Sequence, residues 1–288
     1  MLRIALPNKG RLSDDARDLF NQAGLEVRVS GDRALSASLG GEFEAIFVRA
    51  QDVPEFVADG AADAGITGFD IASESERDLT SLLDLEFGRC RLVVAAREDS
   101  SAQSVSDMPT GSRVATVFPK TTRRFFEGLQ KPIQIVPMSG AAEIAPHLGI
   151  SDFIVDITST GSTLKTNGLR EIGTVSESTA RLFSCASHQS WSAEKQKALE
   201  ELIGALDSVV RARGKRYLMA NVPRAALSKV KEILPGLNGP TVVDILDGGI
   251  HVAVHAVVPT KSVYRTIAAL KTLGAEGILL TRIERLMP

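Results

Sequence analysis

The chain is predicted to be an α/β protein that closes in a compact domain of different style, and three observations carry that prediction. The first is its opening, a short apolar strand, a polar turn and an amphipathic helix in direct succession, which is the unit from which α/β sheets are built. The second is the run Phe153-Ile154-Val155, which breaks off into Asp156-Ile157-Thr158-Ser159-Thr160-Gly161-Ser162-Thr163-Leu164. Apolar strand residues there give way to hydroxyl side chains crowded around one glycine. The third is the tail after Arg213, where strand and helix patterns follow the order β-α-β-β-α-β in about 70 residues, the ferredoxin-like unit.

Composition fits that class. With 288 residues and 44% hydrophobic side chains, the chain can bury a sizeable core and suggests two or three domains. Lys plus Arg is 33 and Asp plus Glu is 35, a net charge of -2. Near-neutrality argues against nucleic-acid binding driven by counterion release, while leaving room for local anion pockets. Cys90 and Cys185 stand far apart and in no metal spacing, so they read as free, buried thiols of a reducing compartment. No apolar run approaches the ~18 residues of a membrane span. The N-terminal apolar stretch is too short for a secretory signal. A cytoplasmic protein with no membrane partner is therefore expected.

The elements follow in order. Leu2 to Leu6 reads as a buried strand and Pro7 to Arg11 as a turn. Ser13 is placed to cap the next helix, with Asp14 and Asp15 in the first turn, where acids suit the macrodipole. Leu19, Phe20 and Ala23 form its apolar face, and Gly24 ends it. Phe43–Arg49, Asp63–Asp70, Cys90–Ala96, Arg113–Val117, Ile133–Val136, Phe153–Ile157 and Thr179–Ser187 read as strands. Gln51–Asp59, Thr121–Gln130 and the stretch from Ser139-Gly140 through Leu148 read as helices, the last weakened by Pro146. Leu199, Leu202, Ile203, Leu206 and Val209 recur at helical spacing within Ser192–Arg213. Beyond a boundary near Lys215, strands are predicted at Tyr217–Val222, Thr241–Leu246, Ile250–Val258 and Ile278–Ile283. Helices follow Pro223 and Thr260, and Asp247-Gly248-Gly249 signals a hairpin turn.

The Asp156–Leu164 segment is the strongest chemical signal. Thr158, Ser159, Thr160, Ser162 and Thr163 can donate to oxyanions, Gly161 lets the backbone approach closely, and Asp156 can reach a sugar hydroxyl or a magnesium ion. A plain Ser/Thr turn capping a helix is the other reading of the same residues. Lys9 and Arg11 lie on the first strand–helix turn and Arg49 follows a strand, the end at which open α/β sheets bind ligands. Asp70 closes Gly-Ile-Thr-Gly-Phe-Asp, where two glycines suggest a close backbone approach. Lys120, Arg123 and Arg124 crowd a helix start, where cations oppose the dipole and an anion would relieve them. Glu143 sits in the first turn of its predicted helix. His147, His188, His251 and His255 form no metal or triad spacing.

Glu143, Gly149, Ser151, Ile154, Asp156, Thr160, Gly161, Thr163 and Leu164 together form a spaced run that resembles the signature of the ATP phosphoribosyltransferase family. Pro-Asn-Lys-Gly-Arg-Leu, Asp-Ala-Gly-Ile-Thr-Gly, Arg113-Val-Ala-Thr and the tail through Gly274-Ala275 extend the resemblance over nearly the whole chain, which is similar to the family's long form. The resemblance implies a two-lobed core of periplasmic-binding-protein type plus a ferredoxin-like, ACT-like histidine-sensing domain. Its lobes would be residues 1–89 with 180–214, and 90–179, followed by the sensing domain at 215–288. It implies ATP and 5-phosphoribosyl 1-pyrophosphate as substrates, Mg2+ as cofactor, histidine as inhibitor, and a homo-oligomer, dimer or hexamer. It further implies that Asp156 holds ribose hydroxyls and the Thr158–Thr163 loop the 5-phosphate, while Lys9, Arg11, Arg49, Asp70 and Glu143 line the cleft for ATP and pyrophosphate. A two-lobed solute receptor and a noncatalytic regulatory partner of a phosphoribosyltransferase are the rival readings. The first would need an export signal, and the second should lack Asp156 or the anion loop.

Overall fold

The computed structural model describes residues 1–29, 34–234, 236, 239–246 and 248–287. The chain divides into two compact units, Met1–Ile203 and Gly204–Pro288. The division falls inside α6 (Ala193–Ala212), the long helix whose apolar repeat is visible in the sequence.

Unit one is built on two sheets. The first contains β1 (Leu2–Pro7), β2 (Val27–Val29), β3 (Ser36–Leu39), β4 (Phe43–Val48), β5 (Ala64–Gly68), β6 (Leu79–Asp84) and β12 (Ala180–Cys185). Their order is β2-β3-β4-β1-β5-β12-β6. β1 runs parallel to both β4 and β5, with Ile4 facing Ala64 and Leu6 facing Phe47 in register. β1 and β5 are buried along nearly their whole length, as central parallel strands must be. The second sheet contains β7 (Cys90–Arg97), β8 (Arg113–Thr116), β9 (Gln134–Pro137), β10 (Phe153–Thr158) and β11 (Leu169–Ser178), in the order β11-β7-β10-β8-β9. Its core packs Leu92, Val94, Val114, Phe126, Phe153 and Val155 on one face, and Val93, Ala95, Ile154, Leu164 and Leu169 on the other.

The chain therefore leaves the first sheet after β6, builds the second from a continuous segment, and returns as β12 between β5 and β6. This is the two-lobed periplasmic-binding-protein arrangement. The two crossings are bonded to each other: Leu85 N–H donates to Ala180 O and Ala180 N–H to Phe87 O, at 3.0 and 2.9 Å. A further clasp joins α3 (Phe69–Ser75) of the first lobe to α4 (Pro119–Gly128) of the second. Both Glu74 oxygens accept first-turn amides of α4, from Lys120 at 2.9 Å and Thr121 at 2.8 Å. Lys120 Nζ reaches Ser75 O, and the Arg124 guanidinium reaches Ser73 O. The anion expected to relieve this basic helix start is thus a carboxylate of the chain itself.

Unit two carries β13 (Lys215–Pro223), α7 (Leu227–Ile233), β14 (Thr241–Asp244), β15 (His251–Pro259), α8 (Val263–Thr272) and β16 (Glu276–Arg282). The sheet order β14-β15-β13-β16 is antiparallel throughout, and the helices cover one face through Val230 and Leu270. This is the ferredoxin-like domain. The β14–β15 hairpin forms, but Asp247, part of its predicted turn, lies outside the described residues.

Two local expectations fail for identifiable reasons. α1 (Arg11–Gln22) starts at Arg11 behind Gly10, whose φ of 79° only glycine adopts readily, so Ser13 is inside the helix and buried rather than capping it. No helix spans 139–148. Ala141 is left-handed at φ 50° and Pro146 lacks an amide, so only a 3-10 turn at Ala142–Ile144 forms. The cysteines are half-buried rather than buried, and both are free.

Candidate active site

The hydroxyl loop is the best-defined part of the site. β10 runs antiparallel to β7 and parallel to β8, which fixes Asp156 opposite Val93 and ends the strand at Thr158. The chain then turns on its own side chains. Thr158 Oγ1 accepts the Gly161 N–H at 2.8 Å, and the Thr160 and Ser162 hydroxyls lie 2.9 Å apart. Gly161 sits at φ 78°, and a Cβ built there would meet nothing within 4 Å. Open space therefore lies in front of the one residue where the backbone is bare. The chain continues into the short helix α5 (Ser162–Thr166), held by Leu164 in the core.

A cavity of about 460 Å³ opens onto this loop, walled by Thr158, Ser159, Thr160, Ser162 and Thr163 from one lobe and by Arg11, Asp15 and Asp70 from the other. Asp70 is buried at the start of α3, and its carboxylate accepts the Ser178 hydroxyl at 2.6 Å. Ser178 Oγ in turn accepts the Asp70 N–H at 3.0 Å. This reciprocal pair, 108 residues apart, ties the first lobe to the last residue of β11. Burial, and then the nearby Asp70 charge, push the Cys90 thiol up to about 11, against a hydrogen bond from Ser178 and the Arg11 charge. A thiol so held is inert.

Asp156 and Glu143 are brought together by the 3-10 turn ahead of β10. Burial raises the Asp156 carboxyl above its ordinary range and the Glu143 charge adds to the rise, while the Ile157 N–H, bonded at 2.7 Å, works against both. A buried carboxyl raised further by a neighbouring carboxylate marks a place suited to positive charge. Lys9 and Arg49 stand at the ends of neighbouring strands, linked by the Asn8 N–H to Val48 O bond at 2.8 Å. Neither lines the 460 Å³ cavity. Among the described residues no group of three His, Cys, Asp or Glu side chains is arranged to hold a metal.

Sequence reasoning missed Arg89, which lines the same cavity from the first crossing. No spacing or neighbouring motif marks it, because its position depends on the two crossings meeting. It missed the Asp70–Ser178 pair for the same reason.

Fold and site together define a two-lobed α/β protein that presents a hydroxyl-rich loop across a cleft to basic and acidic groups. Comparison with known proteins places it. The family model "ATP phosphoribosyltransferase" matches residues 49–208, and the model "HisG, C-terminal domain" matches residues 212–285. An ATP phosphoribosyltransferase of Gemmatimonas aurantiaca is 65% identical over 292 residues, covering 100% of both chains. One of Haloarcula marismortui is 49% identical over 99% of this chain and 100% of its own. Among solved structures, the ATP phosphoribosyl transferase (HisG:HisZ) complex from Thermotoga maritima contains a chain similar at TM-score 0.62 and 28% identity, over 73% of this chain and 99% of that one. The chain belongs to the ATP phosphoribosyltransferase family, enzymes of histidine biosynthesis that are glycosyltransferases, and it has the long form.

Proposed function

We propose that the chain joins ATP to 5-phosphoribosyl 1-pyrophosphate, with adenine N1 attacking ribose C1 with inversion and pyrophosphate departing. The observation that carries this is the loop: a ring of hydroxyls around bare, open Gly161 at the edge of the cleft. Such a reaction needs little proton transfer. It needs two anionic substrates aligned and positive charge at C1 offset as the leaving group departs.

The residues meet those demands in turn. The Thr158–Thr163 hydroxyls and backbone amides would hold the 5-phosphate, and Asp156 the ribose hydroxyls. Glu143 and Asp156 would stabilise positive charge developing at C1. Arg11 and Asp70 line the cleft beside the loop, and Lys9 and Arg49 at the sheet's carboxyl edge would meet the ATP phosphates. Mg2+ typically takes one or two protein carboxylates plus substrate phosphates. Asp156 and Glu143 offer that oxygen chemistry, and the ion would neutralise the leaving pyrophosphate.

In this reading residues 1–89 with 180–214 form one catalytic subdomain, 90–179 the one carrying the loop, and 215–288 a histidine-sensing domain. The enzyme is a cytoplasmic homo-oligomer, dimer or hexamer, inhibited by histidine. The test is to mix pure protein with ATP, 5-phosphoribosyl pyrophosphate and Mg2+ and follow product absorbance. Turnover by the chain alone is expected, and a strict need for a second protein would overturn the proposal.

A further inference from the structure

The 460 Å³ cleft is joined by a second chamber of about 370 Å³, and the two share Arg89, Cys90 and Ser159 in their walls. The side chamber has three arginines, but two are committed. The Arg91 guanidinium forks onto Glu171 at 2.6 and 2.9 Å. Arg181 stacks 4.0 Å above the Phe69 ring and lies 3.8 Å from Asp84. Asp84 already accepts the Thr179 hydroxyl and the Glu86 N–H. Arg89 is exposed, and among the described residues it has no ion pair or hydrogen bond.

An unpaired surface arginine would mean little, but Arg89 is fixed at its base. Gly88 before it has φ 64°, and a Cβ there would lie 2.7 Å from Leu12 Cδ2. Cys90 after it begins β7, opposite Ser178 of β11. Arg89 thus stands at the crossing between lobes, with the Ser159 hydroxyl of the loop in the same walls. A substrate with a phosphate at each end needs two anion sites, and the loop supplies one. Arg11 and Arg89 are the arginines lining the cleft that holds that loop. Asp84 and Glu177 disfavour an anion against their part of the side chamber, and Asp15 and Asp70 do so in the cleft. The favourable place is the seam at Arg89, where the two chambers share a wall.

We propose that Arg89 is a binding residue for the diphosphate arm of 5-phosphoribosyl pyrophosphate and for the pyrophosphate it releases, holding it where the two chambers meet, beside the loop that takes the 5-phosphate. The inference rests on the reaction proposed above, but inorganic pyrophosphate tests it without turnover. Calorimetric titration of the intact chain with Mg2+-pyrophosphate should show binding weakened about tenfold or more in Arg89→Gln, the usual effect of losing a charge-assisted hydrogen bond. The KM for 5-phosphoribosyl pyrophosphate should rise by a similar factor, the KM for ATP should stay within about twofold, and Arg89→Lys should recover part of the loss. Unchanged pyrophosphate affinity in a folded Arg89→Gln, or a KM rise confined to ATP, would overturn the assignment. A wild-type chain that binds pyrophosphate through Arg89 but never turns over would count against the reaction and not against Arg89.

Discussion

Asp156, on the proposed reading, serves the site at the expense of the fold. Burial and the Glu143 charge raise it, so the folded chain favours its protonated form. Below the unfolded-chain value of ~3.9 it brings no penalty, and above its raised folded value the ionised group destabilises the native state. Asp156→Asn should therefore raise the melting temperature at pH 7 and abolish turnover, and calorimetry with an activity assay reads both. On acidification, turnover should fall at a pH above the usual aspartate range, because the proposed role in holding positive charge needs the ionised form. Gly161 makes the opposite trade. Gly161→Val places a branched side chain at φ 78° in otherwise open space. It should cost about 1–2 kcal/mol of stability, measurable by urea titration, and eliminate turnover by filling the position proposed for the phosphate.

At the scale of elements, the α3–α4 clasp is an N-cap supplied by a different helix. Phe118 at the α4 N-cap position has no capping side chain of its own, and Glu74 replaces it with two amide bonds. Glu74→Ala should lower stability by about 1–2 kcal/mol, seen as a lower urea midpoint. Elements were legible in the sequence where burial was complete and uninterrupted. Val93–Ala96 and Phe153–Val155 read as strands because nearly every residue is apolar. β11 escaped notice because its register shifts twice, between Glu171 and Gly173 and between Thr174 and Ser176, which breaks the alternation a half-buried strand would show. β6 is an edge strand with no fully buried side chain, so its pattern is weak. In the site, the loop was readable because its chemistry is local. Asp156 and Glu143 were linked only through the family resemblance, and Arg89 and Ser178 only become neighbours once both crossings are built.

At the scale of the whole molecule, the proposed histidine control is assigned to unit two. On the proposed reading histidine should inhibit the intact chain, and a truncation after Arg213 should retain turnover and lose that sensitivity. An equally sensitive truncation would place the sensor in unit one. The position of β12 between β5 and β6 has a separate consequence, for the order in which the chain acquires structure. During synthesis from the N-terminus, β5 pairs with β1 on one edge only, and β6 must wait for a partner that emerges after the whole second lobe. That lobe, a single uninterrupted segment, can condense first. The first lobe closes last, by an insertion that joins residues more than 100 positions apart, and such distant pairing is slow. Pulsed hydrogen exchange during refolding should protect the β7 and β10 amides before those of β5 and β12, leaving the half-built first sheet as the species that chaperones meet.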